Sequence, residues 1–180
     1  MSTASADVNA RVPADIAVLF DVHGAFLLRV LVRIVGDRTQ AEDVLQEVFL
    51  LAHRRRHELD PNGNVVGWLY RSALNVVRHH RRTLARRARL HAAVAREPHG
   101  DDGRGPERPS IMRDTAQNVR ACLTALPISQ REVFVLFELE ELDGERIAEL
   151  VGAPVATVWT RLHRGREKFR RAWRAQQDRS

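Results

Sequence analysis

The hydrophobic pattern of the chain is helical on both sides of one polar stretch. From Pro13 onward, Ile16, Leu19, Phe20, His23, Phe26, Leu27, Val30, Leu31 and Ile34 recur at steps of three and four, which is one face of an amphipathic helix. Gly36 is placed to stop that helix and Asp37 to cap the next. A second helix puts Ala41, Val44, Leu45, Val48, Phe49 and Ala52 on its buried side. The run Asp60-Pro61-Asn62-Gly63-Asn64 is turn chemistry and predicts a loop. A third helix buries Val66, Leu69, Ala73 and Val76. It runs into a basic stretch, Arg78-His79-His80-Arg81-Arg82, followed by Arg86, Arg87 and Arg89.

From Glu97 to Ser110 apolar residues give way to Gly, Pro, Asp, Glu and Arg, which predicts a solvated, flexible linker. Helical periodicity returns near Arg113. Val119, Cys122, Leu123 and Leu126 line one face, and Pro127 ends it. Ser129 and Glu132 have the spacing of a capping box for a helix carrying Val133, Leu136 and Phe137. Asp143 is placed to cap a short helix with Ile147, Leu150 and Val151. Gly152-Ala153-Pro154 forms a turn, and a last helix starts near Pro154 with the stripe Val158, Leu162, Phe169 and Trp173. No strand pattern and no repeat interrupts this. The predicted fold is all-α: two small helical bundles, 11–93 and 113–175, joined by a flexible linker, 94–112. The segment Gly144 to Arg170 in the second bundle has the form of a helix-turn-helix. Ala148 sits at the crossing, Gly152 in the turn, and Trp159, Thr160, Arg161, His163, Arg164 and Lys168 on the outward face.

Charge sharpens the picture. Among 180 residues the net charge is +6, which favours a polyanionic partner. Lys168 is the only lysine, and GC-rich codon usage accounts for that more simply than function does. Yet the second helix is acidic outside, with Glu42, Asp43, Gln46 and Glu47 on one face. That face suits either solvent or a protein partner and would repel phosphate. The third helix offers Trp68, Tyr70, Arg71, Asn75, Arg78 and His79, the stacking surfaces, amides and cations used on single-stranded nucleic acid; Trp68 also fits a core position.

Other chemistry is excluded or weak. One cysteine, Cys122, rules out an internal disulfide and a thiolate zinc cluster, and its apolar face suits a small core residue. His53 and His57, with Glu58, give at most half a metal site among repelling arginines. There is no phosphate-cradling glycine loop and no nucleophile elbow, so neither enzyme activity nor a cofactor is expected. Residues 1–10 lack the basic start and apolar run of a secretory leader, and no apolar run spans a bilayer, so a cytoplasmic location without membrane insertion is expected.

Three runs together resemble a known family. Ala41-Glu42-Asp43-Val44-Leu45-Gln46-Glu47-Val48-Phe49-Leu50 is similar to the polymerase-binding helix of extracytoplasmic-function (ECF) sigma factors. Gly67-Trp68-Leu69-Tyr70-Arg71-Ser72-Ala73-Leu74-Asn75 is similar to their promoter-melting helix. Leu126-Pro127 through Arg131-Glu132-Val133, then Ile147-Ala148-Glu149-Leu150 and Thr157 to Arg166, resemble their second domain. The resemblance implies a sigma factor that binds core RNA polymerase and directs promoter-specific initiation. It implies that Asp43, Gln46 and Glu47 meet the polymerase. Trp68, Arg71, Asn75 and Arg78 would contact a single-stranded −10 element, and Thr160, Arg161, His163, Arg164 and Arg166 a duplex −35 element. An anti-sigma factor is a further partner it allows. Trp159 stands where the family often has a basic or polar residue. From the residues alone, a helix-turn-helix regulator of duplex DNA, or a helical adaptor for RNA or protein, stays open.

Overall fold

The computed structural model describes residues 15–60, 63–94 and 111–178. Residues 1–10 and most of the predicted linker, 95–110, lie outside the described residues, as do Pro61 and Asn62 of the predicted loop. The described residues form seven α-helices and no strand. They are α1 Ile16–Val35, α2 Arg38–Arg54, α3 Val65–Val94, α4 Ile111–Thr124, α5 Ile128–Phe134, α6 Gly144–Val151 and α7 Val155–Gln177.

The first bundle follows the sequence pattern closely. Asp15 caps α1 through its carboxylate on the Ala17 amide at 2.9 Å, and Gly36 ends it at φ 84°. Asp37 then accepts from the Gln40 amide at 2.8 Å and starts α2. The α2 residues that are buried are the six expected ones. On α3 the inward residues include Val65, Leu69, Ala73 and Val76, while Val66 is only half-buried.

The second bundle departs at one helix start. The predicted capping box does not form: Pro127 occupies the cap of α5 without a side-chain hydrogen bond, and Ser129 lies inside the helix. Glu132 is drawn inward by two arginines instead. After α5 the chain continues as a π-helical stretch, Val135–Leu139, and then Glu141 takes the left-handed φ of 56°. That wider turn absorbs an extra residue before α6. Asp143 caps α6 on the Arg146 amide at 2.7 Å, and Gly152 ends it at φ 66°, so the helix-turn-helix has the expected boundaries.

The two bundles pack on each other. One continuous apolar cluster runs from Leu27 and Val30 of α1 through Leu69 of α3 to Leu136, Ile147 and Val158 of the second bundle. Helix α3 lies along α6, and α1 along α4, α5 and the π-helical stretch. Arg131, almost fully buried, stands where two helices end. Its guanidinium donates to Thr124 O (2.6 Å) and Leu126 O (3.0 Å) beyond α4, and to Ile34 O (2.5 Å) at the end of α1. A cation there answers the unpaired carbonyls and negative dipole ends of both helices. Burial lowers its pKa to about 10, with Arg81 adding to the effect, so it is charged at neutral pH.

Candidate polymerase and nucleic-acid interface

On α2 the repeat that buries Ala41, Val44, Leu45 and Val48 leaves Glu42, Asp43, Gln46 and Glu47 exposed on the opposite side. Arg38 pairs with Glu42 at 2.8 Å, and His80 of α3 reaches Glu47 at 3.1 Å. Leu50, 52% exposed, continues the same face with an apolar surface that the polar pattern did not flag.

Trp68, Arg71, Asn75 and Arg78 follow at steps of three and four, which brings them to one side of α3. Trp68, Arg71 and Asn75 line an open groove of about 530 Å3 between α2 and α3, together with Glu47, Leu51, Arg55, Ser72, Val76 and His79. That size suits a nucleobase with part of its backbone. Trp68 is half-buried, so it is both wall and core. Arg55 and Ser72 were not singled out from the sequence, because no motif ties the end of α2 to this groove. Arg78 lies just beyond the groove and donates to Asn75 Oδ1 at 3.3 Å. The basic run continues along α3 with Arg81, Arg82 and Arg86, all exposed.

On α7 the outward face is narrower than the sequence suggested. Thr160, His163 and Arg164 are exposed. Arg161 turns inward instead and meets Glu132 Oε1 at 3.2 Å. Arg166 is held by Glu138 at 2.5 Å and lies 5.1 Å from the centre of the Phe137 ring. Trp159 is 45% exposed and stands edge-on to Phe137, with ring centres 5.5 Å apart. It borders an open cleft of about 760 Å3 with Val155, Gly144 and the acidic Glu141, Asp143 and Glu145. A Cβ at Gly144 would sit 2.5 Å from Trp159 Cζ2, so this glycine is what lets the indole lie flat on α6.

Glu132 joins the two basic helices. Its carboxylate, 2% exposed, takes Arg78 of α3 at 3.3 Å and Arg161 of α7 at 3.2 Å. Burial lifts its pKa to about 7, against the opposing pull of Arg78 and then Arg161. Tyr70 is buried beside this pair, and burial, then Glu132, pushes its phenol well above the ordinary value.

His53 and His57 are both exposed, and no group of three or more potential metal ligands occurs among the described residues. Cys122 is fully buried, and burial raises its thiol pKa. No described helix is long and apolar enough to cross a membrane.

An exposed acidic helix face beside a groove lined by Trp68, Arg55 and Arg71, followed by a helix-turn-helix, is the make-up of a DNA-binding protein. The family profile for sigma-70 region 2 matches residues 19–87, and the profile for sigma-70 region 4 matches residues 116–169. The chain is 31% identical over 163 residues to the ECF RNA polymerase sigma factor SigW of Bacillus subtilis, covering 87% of each chain. It is 32% identical over 153 residues to the RNA polymerase sigma-H factor of Pseudomonas aeruginosa, covering 81% of this chain and 79% of that one. Among solved structures it is similar to CnrH in complex with the cytosolic domain of CnrY, at TM-score 0.62 and 25% identity over 89% of this chain and 88% of that chain. The fold also matches the sigma factor RpoE of Bartonella quintana, solved with the anti-sigma factor NepR. There the TM-score is 0.65 at 18% identity, over 88% of this chain and 96% of that chain. The chain belongs to the ECF branch of the sigma-70 family. It is a promoter-directing initiation factor, a class of protein that is not enzymatic, and a stand-alone regulator of duplex DNA is not favoured.

Proposed function

We propose that the chain works as two modules, 11–93 and 113–175, tethered by 94–112, and that it acts in the cytoplasm. Asp43, Gln46 and Glu47 dock on core RNA polymerase. Trp68, Arg71, Asn75 and Arg78 capture the single-stranded −10 element in the α2–α3 groove. Thr160, His163 and Arg164 enter the duplex at the −35 element, with Arg161 and Arg166 supporting that helix. The observation that carries this reading is the groove itself: Trp68, Asn75, Arg55 and Arg71 in one open cleft bordered by Glu47 of the acidic face of α2, with Arg78 just beyond it. Stacking and phosphate pairing are sequence-tolerant, as strand capture requires. CnrH was solved bound to the cytosolic domain of CnrY; an anti-sigma factor is proposed here as a partner of the same kind. The test is run-off transcription with purified core polymerase on a promoter-bearing template. Promoter-dependent initiation only when this chain is added is expected. Failure to convert core enzyme removes the assignment.

A further inference from the structure

The first two turns of α7 offer no free cation. From Val155 to Leu162 the one charged side chain is Arg161, and it is turned in to Glu132. Thr160 donates its hydroxyl back to Ala156 O at 2.9 Å. What these turns leave outside is largely apolar: Val155, 36% exposed, and one turn later Trp159, 45% exposed. His163, Arg164 and Lys168 come only in the turns that follow. The indole is held in place. Phe137 meets it edge-on, and Gly144 leaves room for it where a Cβ would lie 2.5 Å from its Cζ2. A ring already fixed in one pose has little freedom left to lose on contact. Beside it stand Glu141, Asp143 and Glu145, carboxylates that line the same cleft and repel phosphate. Asp143 also occupies the Arg146 amide at the start of α6. A phosphodiester strand is therefore turned away from this end of the motif, whereas a base edge is not.

We propose that Trp159 is a specificity residue of the −35 contact, its indole packing on the C5-methyl group of a thymine in the major groove. The inference rests on the assignment of α7 to the −35 duplex. A recognition helix presents its N-terminal turns to base edges. In the major groove thymine alone among the four bases offers an apolar group, and an uncharged apolar surface can tell that methyl from everything else there. An arginine or lysine at this place would seek guanine O6 and N7 instead, so the tryptophan moves the preference from guanine to thymine. The helix is divided accordingly. Val155 and Trp159 read a methyl group, and hydrogen-bond reading begins at His163 and Arg164, which are exposed on the later turns.

The test removes the methyl group from the template. Holoenzyme assembled from core polymerase and the full chain is first offered promoters with randomised −35 elements, and the preferred element is read from the bound fraction. Each thymine of that element, on either strand, is then replaced singly by deoxyuridine, which lacks the methyl group and keeps every hydrogen-bonding atom. One replacement should weaken binding about fourfold, as one methyl group returned to water would. With Trp159→Ala the thymine and deoxyuridine templates should bind equally, while the base pair that responds to Arg164→Ala should matter as before. Trp159→Phe should keep part of the methyl effect. Gly144→Ala drives the indole from its seat and should shrink the effect with Trp159 still present, which decides the matter should Trp159→Ala fold poorly. Deoxyuridine tolerated at every position by the unmodified chain overturns the inference, and so does a methyl effect that survives Trp159→Ala. Weaker assembly of Trp159→Ala with core polymerase, with the methyl effect intact, overturns it as well and makes the indole a protein contact. The absence of any −35 preference overturns the α7 assignment itself.

Discussion

Glu132 shows how much one residue can be asked to do. Its carboxylate is out of water and faces two guanidinium groups, so removing it leaves two cations crowded at a bundle junction. A fully buried pair broken this way costs about 3 to 5 kcal/mol; because both arginines are about one-third exposed here, Glu132→Ala should cost about 2 to 3. Thermal or urea unfolding measures it. The pH dependence has a definite sign. The folded carboxyl titrates near 7 and the unfolded one near 4.5, so between those values the folded chain binds the extra proton. Stability from this group is therefore fully present below about 4.5 and is lost as pH rises through about 7. Glu132→Gln should abolish that component: the gap between the two proteins should change between pH 4.5 and 7 and be flat above. A constant gap over that range would show that Glu132 is ionised throughout. At the recognition helix, Arg164 is exposed whereas Arg166 is tied to Glu138 and Phe137. Arg164→Ala should cost about 1 to 3 kcal/mol of binding and relax preference at one −35 position. Arg166→Ala should lower affinity evenly across a library of −35 variants, chiefly by loosening α7 from the π-helical stretch that carries Phe137 and Glu138. A position-specific loss confined to Arg166→Ala would reverse the two roles.

At the scale of helices, α2 separates its duties by side. The inner face is six apolar residues locked in the core, and the outer face is exposed acid. Reversing Asp43 and Glu47 to lysine should therefore leave the fold intact and strike the partner surface, with the change at Glu47 also removing the His80 contact and adding a cation to the edge of the groove. Interface charges left facing unpaired partners cost about 2 to 5 kcal/mol, so core-polymerase binding should fall by more than tenfold. Duplex DNA binding through α7 should not fall. A pull-down with undiminished core polymerase would move the docking site elsewhere, and Leu50 beside Glu47 would not rescue it. Helices of this kind are legible in a sequence because burial repeats with the helical period. The buried set of α2 and the caps at Asp37 and Asp143 were readable for that reason. The capping box at Ser129 and Glu132 was not, although its spacing is correct. Local spacing cannot reveal that Arg78, distant in the chain, competes for the same carboxylate. The π-helical stretch and Glu141 at φ 56° also escape the pattern, since one residue too many shifts the register without changing composition. Arg161 was expected outside and is turned in for the same reason as Glu132: its partner is remote in sequence.

At the scale of the molecule, the packing of the bundles on each other has no signature in either bundle's periodicity. Arg29 and Arg33 look like ordinary surface charges until Glu140 is placed between them, and Arg131 looks solvated until it is found bridging two helix ends. The tether proposed for 94–112 gives this scale its own test. Arg96 and Arg104 lie in a stretch poor in apolar residues, so brief trypsin treatment should cut there before it cuts the helical blocks. Cutting converts an intramolecular contact into a bimolecular one and removes an effective concentration in the millimolar range. What remains is the interface itself. Its charged anchors, Glu140 with Arg29 and Arg33 and Glu132 with Arg78, are partly open to solvent and subject to screening. With a Debye length of about 30 Å at 0.01 M salt and about 3 Å at 1 M, the two fragments should co-elute at low salt and separate at high salt. Both should keep their helical circular dichroism in either condition. Separation at low salt would mean that the packing of the two bundles on each other depends on the tether. Cuts that appear first within 15–90 or 115–175 would remove the two-module description.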